Sequence, residues 1–435
     1  MQTSNPLALL PLALFLVLFI GSGLYYQSQG TDFAFYQISA PVAIIPAIVL
    51  ALCFSAGSLN NRLESFIKGI GDSTIITMVL VFLLAGAFAS VVKAVGGVDA
   101  TVNFGLSVIP EWLLLPGIFV IAAFIATSMG TSMGTIAAVA PVAVGLSESS
   151  DLPLLLTTGA VVGGAMFGDN LSIISDTTIA ATRTQGCAMR DKFRLNLMIA
   201  LPAAFAAILL LAYQSNPGDV IPQDYEFIKV VPYLVVLVLA VLGMNVMLVL
   251  LTGILLAGGV GFMSLPDYSV AQLSKQIYQG YTGMQEIIIL SMLIGGLGAL
   301  IKQQGGLNFI AQTIEKLTHR EGREDNRRVG EFSIAASVAA VNLCTANNTV
   351  SIVIAGSLAR DIAERYGVNA KRAASLMDIF SCVVQGMIPW GAQILLASSV
   401  AKVSPLELVT SVQYCWFLGL AAIISVIIAR PGYGR

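Results

Sequence analysis

The chain has 435 residues, of which 57% are hydrophobic and only 11% charged, and its formal net charge is −2. Soluble domains carry about 25% charged residues, so this composition excludes a soluble globular protein, and the lack of a large basic tract excludes a nucleic-acid binder. Apolar runs near the 20 or so residues that cross a bilayer recur along the chain, without the short alternating segments of a β-barrel. The fold class is therefore an all-α polytopic membrane protein, with the lipid bilayer as its first partner.

No Lys or Arg precedes Arg62, so residues 7–24 read as a retained first span; a cleavable signal needs a basic start. Further spans are expected at roughly 37–57, 74–95, 195–213, 228–244, 246–263, 286–303 and 413–430. Two apolar regions, 112–146 and 330–359, are interrupted by small polar tips, TSMGTSMGT at 127–135 and CTANNT at 344–349. Two more, 153–182 and 374–400, are long and broken mid-way by GDN at 168–170 and GMIPWG at 386–391. Glycines at 163, 164 and 168 are expected to loosen the first of these helices.

Charge sets the topology. Of the 22 Lys and Arg residues, 17 fall in segments 62–68, 183–194, 316–328, 360–372 and 430–435, all cytoplasmic by the positive-inside rule. That holds only if 112–146 is a re-entrant hairpin from the outer side and 330–359 one from the inner side. Lys93, Lys229, Lys275 and Lys402 are left at the outer face, and Lys302 near the inner one. The count becomes ten crossings and two hairpins with both termini inside. It divides into a first repeat at 1–213, an outer linker at 214–227 and a second repeat at 228–435. Each repeat has an odd number of crossings, so the second inserts upside down. Gly71, Gly86, Lys93, Gly96 and Gly97 recur 209 residues later as Gly280, Gly295, Lys302, Gly305 and Gly306. TSMGT at 131–135 matches TANNT at 345–349, and Gly168 matches Gly386. Inverted repeats whose discontinuous helices meet near the midplane are the build of secondary transporters.

Asp169 and Asp176 carry the chemistry, because carboxylates at membrane depth are costly and line ion or substrate paths. Seven residues are about two helical turns, which puts both on one face if the backbone between them is helical. Asn170, Ser172, Ser175, Thr177 and Thr178 add neutral oxygens, the ligands hard cations prefer. The structural alternatives are that SDTT caps a helix and that each hydroxyl bonds its own or a neighbouring helix. The first tip offers Thr127, Ser128, Gly130, Thr131, Ser132, Gly134 and Thr135; the second offers Thr345, Asn347, Asn348 and Thr349. Arriving from opposite faces, the tips are expected to meet the broken helices, where helix N-termini can bind an anionic group. Close packing of small residues is the competing role. Gln385, Trp390 and Gln393 line a counterpart wall in the second broken helix, with Pro389 freeing a carbonyl. Asp378, just beyond a basic loop, is expected in an interfacial salt bridge, and Arg183 to snorkel to the inner interface. Glu286 is either a buried acid or a rim residue. Five scattered cysteines with no metal-ligand spacing read as core packing, and His319, the sole histidine, as a solvated loop side chain.

FGDNLSIISDTTIAAT at 167–182, TSMGTSMGT, TANNTVSIVIAG at 345–356 and IPWG at 388–391 resemble the NhaC family of sodium/proton antiporters. That family includes carboxylate-exchanging and amino-acid-transporting members. The likeness runs through both halves and implies inverted repeats around two hairpins, a scaffold with a moving transport unit, and a homodimer. The implied function is a secondary active transporter that exchanges sodium for protons across the bacterial inner membrane by alternating access. Asp169 and Asp176 are then the sodium- and proton-coupling groups, with no cofactor beyond the two coupling ions. The rival is sodium-coupled transport of a small organic solute such as an amino acid or carboxylate, which the polar tips favour. A channel is a second class, which accumulation against a concentration difference would exclude. An enzyme lacks a nucleophile–base pair to stand on.

Overall fold

The computed structural model describes residues 4–29, 37–54, 58–108, 110–173, 175–215, 224–242, 244–318 and 327–428, and every regular element among them is helical. His319 and most of the 214–227 linker lie outside the described residues. Helix α1 (Leu10–Ser28) is followed by two short apolar helices, α2 (Ala40–Ala43) and α3 (Ile45–Phe54), and by α4 (Leu59–Ile70). Then α5 (Ser73–Ala94) and α6 (Gly97–Val108) lead to the first hairpin, α7 (Leu114–Met129) with α8 (Ser132–Ser150). The first broken helix is α9 (Leu154–Leu171) with α10 (Asp176–Gln185), followed by α11 (Met189–Gln214). Next come α12 (Phe227–Val241), α13 (Val246–Ser264), α14 (Val270–Gly283), α15 (Gln285–Gln303) and α16 (Gly306–Thr318). The second hairpin is α17 (Arg327–Thr345) with α18 (Asn348–Arg365), and the second broken helix α19 (Ala370–Met387) with α20 (Ala392–Ala401). Helices α21 (Pro405–Ser411) and α22 (Gln413–Ile428) close the described chain.

Among the described residues, seven helical segments are long and apolar enough to cross a membrane, or eight if α21 and α22, bent by 58°, form one span. The expected span at 37–57 is divided between α2 and α3. Helix α12 has 15 residues, about 22 Å at 1.5 Å per residue, against a hydrocarbon core of about 30 Å. Full-length helices thus supply fewer crossings than the charge pattern asks for. Helices α4, α14 and α16 were not expected. They are amphipathic, which lowers their mean hydropathy below that of a span while keeping the 3.6-residue period. No residue of α4 is buried, and α14 starts with a capping box of Ser269 and Gln272.

The tips and breaks follow from local chemistry. Gly130 (φ 71°) ends α7 in the left-handed region, Thr131 is extended, and α8 starts at Ser132. At the second tip Ala346 (φ 51°) takes the same place and extended Asn347 caps α18. The first broken helix is interrupted after Leu171, not at its glycines: Ser172 is extended and Ser175 caps α10 by accepting from Thr178 N at 3.2 Å. The second is interrupted at 388–391, where Ile388 and Gly391 are extended.

The glycines of α9 serve contact instead of loosening. A Cβ at Gly164 would lie 2.2 Å from Phe119 O, and one at Gly168 2.3 Å from Ala123 O, so α9 presses backbone to backbone on α7. Each glycine costs up to about 1 kcal/mol of helix propensity, which the close approach offsets. Gly164→Ala is expected to lower thermal stability by about 1–3 kcal/mol, an overpacking cost, because backbone cannot rotate away. Gly117→Ala, with nothing within 4 Å, is the control; equal unfolding temperatures for the two variants would refute the contact. One apolar core joins α5, α7, α8, α9, α15, α19, α20 and α22 through residues such as Phe82, Phe119, Val161 and Leu395. A smaller one packs α10 against α17, α18 and α19. Of the five cysteines, Cys344, Cys382 and Cys415 are buried as expected, whereas Cys53 is exposed.

The boundaries recur. Helices α9 and α10 span 154–171 and 176–185, and α19 and α20 span 370–387 and 392–401, so every end is displaced by 216 residues. The left-handed residues Gly130, Asp151 and Gly186 meet Ala346, Gly367 and Lys402 at the same displacement. In this register Asp169 corresponds to Gln385 and Ser132 to Asn348. Gly386 stands opposite Asn170 and not Gly168, and Thr131 opposite Asn347 and not Thr345, so both of those sequence pairings differ by two residues from the register of the helix ends.

Candidate functional site

Both tips and both breaks converge on one cavity of about 280 Å³, lined also by α5 at Thr77 and Met78 and by the start of α13 at Asn245. A chain of hydrogen bonds runs along its wall. Ser132 Oγ donates to Asp169 Oδ2 at 3.0 Å. Gln393 Nε2 donates to Ser132 Oγ at 3.0 Å, Gln385 Nε2 to Gln393 Oε1 at 2.8 Å, and Gln385 Nε2 also to Ala346 O at 2.8 Å. First break, first tip, second break and second tip are thereby joined in that order. Asp169 is 5% exposed, and a carboxylate so buried needs partners.

Asp176 begins α10 and stays exposed toward the cavity, where the positive end of the helix dipole favours a carboxylate. The break puts Asp169 at the end of one helix and Asp176 at the start of the next, so the seven-residue face no longer applies. Thr177, Gly130, Thr131, Asn347, Asn348, Thr349, Gln385 and Gln393 also border the cavity. The other residues singled out by sequence turn elsewhere. Thr127, Ser128, Thr135 and Thr345 donate to carbonyls one turn back, at 2.8, 3.0, 3.1 and 3.0 Å. Gly134 packs against Val246, and Trp390 Nε1 donates to Leu343 O at 3.1 Å.

Asn170, Ser172, Ser175 and Thr178 belong to a second polar cluster behind the break, whose centre the sequence reading missed. Lys192, fully buried, pairs with Asp378 at 2.8 Å. Its ammonium also donates to Thr178 Oγ1 at 2.6 Å and to Asn170 O at 3.3 Å. Asn196 Nδ2 bridges Asn170 O (2.9 Å) and Asp378 Oδ2 (2.7 Å), and Ser375 Oγ donates to Asn196 Oδ1 at 2.7 Å. Thr178 Oγ1 in turn donates to Ser172 O at 2.7 Å, tying the two sides of the break. Asn170 Nδ2 donates to Tyr414 OH at 3.0 Å. Asp378, expected in an interfacial salt bridge, is 1% exposed and held in this interior pair. The reason is that Lys192 starts the buried face of α11, followed one turn on by Asn196 and then Ala200; that four-residue spacing was the available signal. Nearer the start of α19, Arg372 donates to buried Glu331 Oε2 at 2.8 and 3.1 Å and to Ser425 Oγ at 3.0 Å. Arg183 is exposed. Glu286 lies apart, in a cleft of about 340 Å³ that also holds Lys402.

Interrupted helices and hairpin tips gathered on a buried carboxylate, in a chain with this many apolar helices, are the architecture of a membrane-embedded secondary transporter. The chain belongs to the Na+/H+ antiporter family, whose sequence model matches residues 4–214 and 221–432. It is 24% identical to the Na+/H+ antiporter NhaC of Bacillus subtilis, over 89% of this chain and 90% of the relative. It is 22% identical to the malate-2H+/Na+-lactate antiporter of the same organism, over 88% and 86% of the two chains. The arginine/ornithine antiporter ArcD of Halobacterium salinarum is also 22% identical, over 84% of this chain and 81% of the relative. These relatives are antiporters, not enzymes.

Proposed function

We propose that this protein exchanges sodium for protons across the bacterial inner membrane by alternating access, with Asp169 and Asp176 as the ion-coupling carboxylates. The observation that carries the reading is the hydrogen-bonded chain from Asp169 to Ala346, which touches both tips and both broken helices. An ionised carboxylate only accepts hydrogen bonds, so Ser132 must donate to it and leaves its lone pair to Gln393. A proton on Asp169 turns it into a donor, and a sodium ion competes with Ser132 for its oxygens. Either event is felt at all four elements. H+ and Na+ competing for one carboxylate is sufficient for antiport, and Asp176 with Thr177 supplies further oxygens across the cavity.

The accompanying architecture is ten crossings and two re-entrant hairpins in two inverted repeats, both termini cytoplasmic, assembled as a homodimer. Two glycine crossings support a two-fold relation between the halves, the symmetry that inverted repeats share with parallel ones. A Cβ on Gly86 would lie 2.3 Å from Gly280 O, and one on Gly69 2.5 Å from Gly295 O. Under the 209-residue match Gly86 becomes Gly295, and Gly280 falls two residues from Gly69, so one contact is the exchanged image of the other. A two-fold relation between halves produces such a swap.

Purified protein in sealed liposomes carrying a trapped pH-sensitive dye tests the function. An imposed sodium gradient is expected to move protons the opposite way, with no organic solute present. An unchanged internal pH would overturn the reading in favour of sodium-coupled organic solute transport, the second reading, which the size of the cavity favours.

A further inference from the structure

We infer that a second cleft is the entry path to the ion cavity from one face of the membrane, and that Asn347, backed by Met78, is the gate between the two. The inference rests on the transport reading of that cavity and names the route by which its ions arrive. The cleft holds about 230 Å³ between α4, α5 and α15 on one side and the second hairpin on the other. Its mouth carries Lys68, Asp72 and Lys302, all exposed, on the face that the clustering of basic residues makes cytoplasmic. Gly298, Ala299, Val350 and Ile354 along its walls are half-buried, and buried Asn347 borders both this cleft and the ion cavity. Helix α5 makes the same passage, with Ile75 in the cleft and Met78 one turn on in the cavity.

One layer of side chains thus separates the two spaces, and it is lightly held. Asn347 Oδ1 accepts from Val350 N at 2.9 Å, which fixes the oxygen end of the amide and caps α18. The other end, Nδ2, donates to Met78 Sδ at 3.5 Å, and a thioether is a weak acceptor. Parting Asn347 from Met78 therefore gives up little while the cap stays anchored. Met78 is unbranched, and three rotatable bonds let it turn aside.

A third cleft supplies the contrast. Gly86, Ala89, Ser90 and Lys93 line a space of about 250 Å³, and each stands 209 residues before Gly295, Gly298, Ala299 and Lys302 of the entry cleft. The same wall is built twice, and what faces it differs. The entry cleft is faced by the second tip and the opening turns of α18, at Thr345, Asn347, Val350 and Ile354. Its counterpart is faced by the far part of α8, from Pro141 to Glu148. Pro141 is nine residues from Ser132 at the first tip, about 13 Å along a helix. None of that cleft's lining residues borders the ion cavity. Thr131, which corresponds to Asn347 at the 216-residue displacement, borders the cavity and not that cleft. In this arrangement ions reach Asp169 from the Lys302 side, and the Lys93 side is shut.

The test labels single added cysteines of the full-length protein in sealed vesicles with a membrane-impermeant cationic thiosulfonate, each site being read by peptide mass. Gly298→Cys is the probe, because a Cβ there meets only Cys344 O, at 3.9 Å. Ala89→Cys is its counterpart, and the parent protein controls for the native cysteines. Gly298→Cys is expected to react from the face that labels Lys302→Cys, and Ala89→Cys from the face that labels Lys93→Cys. The bulky label at 298 is expected to slow sodium-driven proton exchange at least tenfold, and a methyl label on the same sulfur to leave it within about twofold. Full exchange with the bulky label in place, or equal loss with the methyl one, overturns the path. The gate has its own readout, which needs no exchange. Met78→Ala is expected to speed labelling of Thr131→Cys from the Lys302 face at least tenfold, and an equal rate overturns the gate. A parent protein that moves no protons on a sodium gradient sinks the exchange reading, and the labelling of Thr131→Cys then decides the path alone.

Discussion

Asp169→Asn is expected to abolish sodium-driven proton exchange, by a factor of at least 10² and down to the leak of empty liposomes, while the protein stays folded. The substitution keeps size and shape, and the amide oxygen can still accept from Ser132, whose donor bond is 3.0 Å. The chain through Gln393 and Gln385 to Ala346 therefore keeps its order. What disappears is the charge that a sodium ion neutralises and the site a proton occupies. Asp176→Asn is the comparison. That residue is exposed to the cavity at the start of α10, so its loss is expected to raise the sodium concentration for half-maximal exchange more than it lowers the maximal rate. Proton flux measured against sodium concentration separates the two. Full activity in Asp169→Asn with an unchanged unfolding temperature would remove that residue from the coupling step.

The parts of this site that could be read from sequence were those whose chemistry is local. Tips made of Gly, Ser, Thr and Asn between apolar runs announce a chain reversal, and Gly130 and Asn347 stand where such a reversal needs a left-handed residue or a cap. Asp169 was legible because an acid inside an apolar run has few bland explanations. The glycines of α9 misled because the same residue type serves both a helix break and a backbone contact; only the partner helix, with Phe119 O against Gly164, tells them apart. Amphipathic helices such as α4 were lost for a related reason, since averaging over a span-length window hides a polar face. Hardest to read was the cluster behind the break. Lys192 and Asp378 lie 186 positions apart in the sequence, and nothing near either one names the other. Counting Lys192 with its basic neighbours assigned it to the cytoplasmic surface, although α11 turns that one member of the group inward.

That pair sets up the largest stability effect expected in the molecule. Lys192→Leu removes the ammonium and leaves Asp378 buried with only Asn196 Nδ2, at 2.7 Å, among its side-chain partners there. Breaking a buried pair from one side costs about 3–5 kcal/mol, whereas replacing both members with packed apolar groups is often neutral or stabilising. The chain holds its own precedent for the second case. At the 216-residue displacement Lys192 corresponds to Leu408 and Asp378 to Val162, and the second break at 388–391 stands without an ion pair there. Lys192→Leu and Asp378→Val are therefore each expected to unfold at markedly lower temperature than the parent protein, and the double variant to recover most of the loss. Thermal unfolding of the four proteins in detergent gives the coupling directly as a double-mutant cycle. Transport then reports what stability alone does not. If the pair serves to hold the Asn170 carbonyl and Thr178 in place beside Asp169, the recovered double variant is expected to exchange sodium and protons at least tenfold more slowly than the parent. Single variants as stable as the parent would mean that Asp378 finds water in the folded protein, and a fully active double variant would confine the pair to packing.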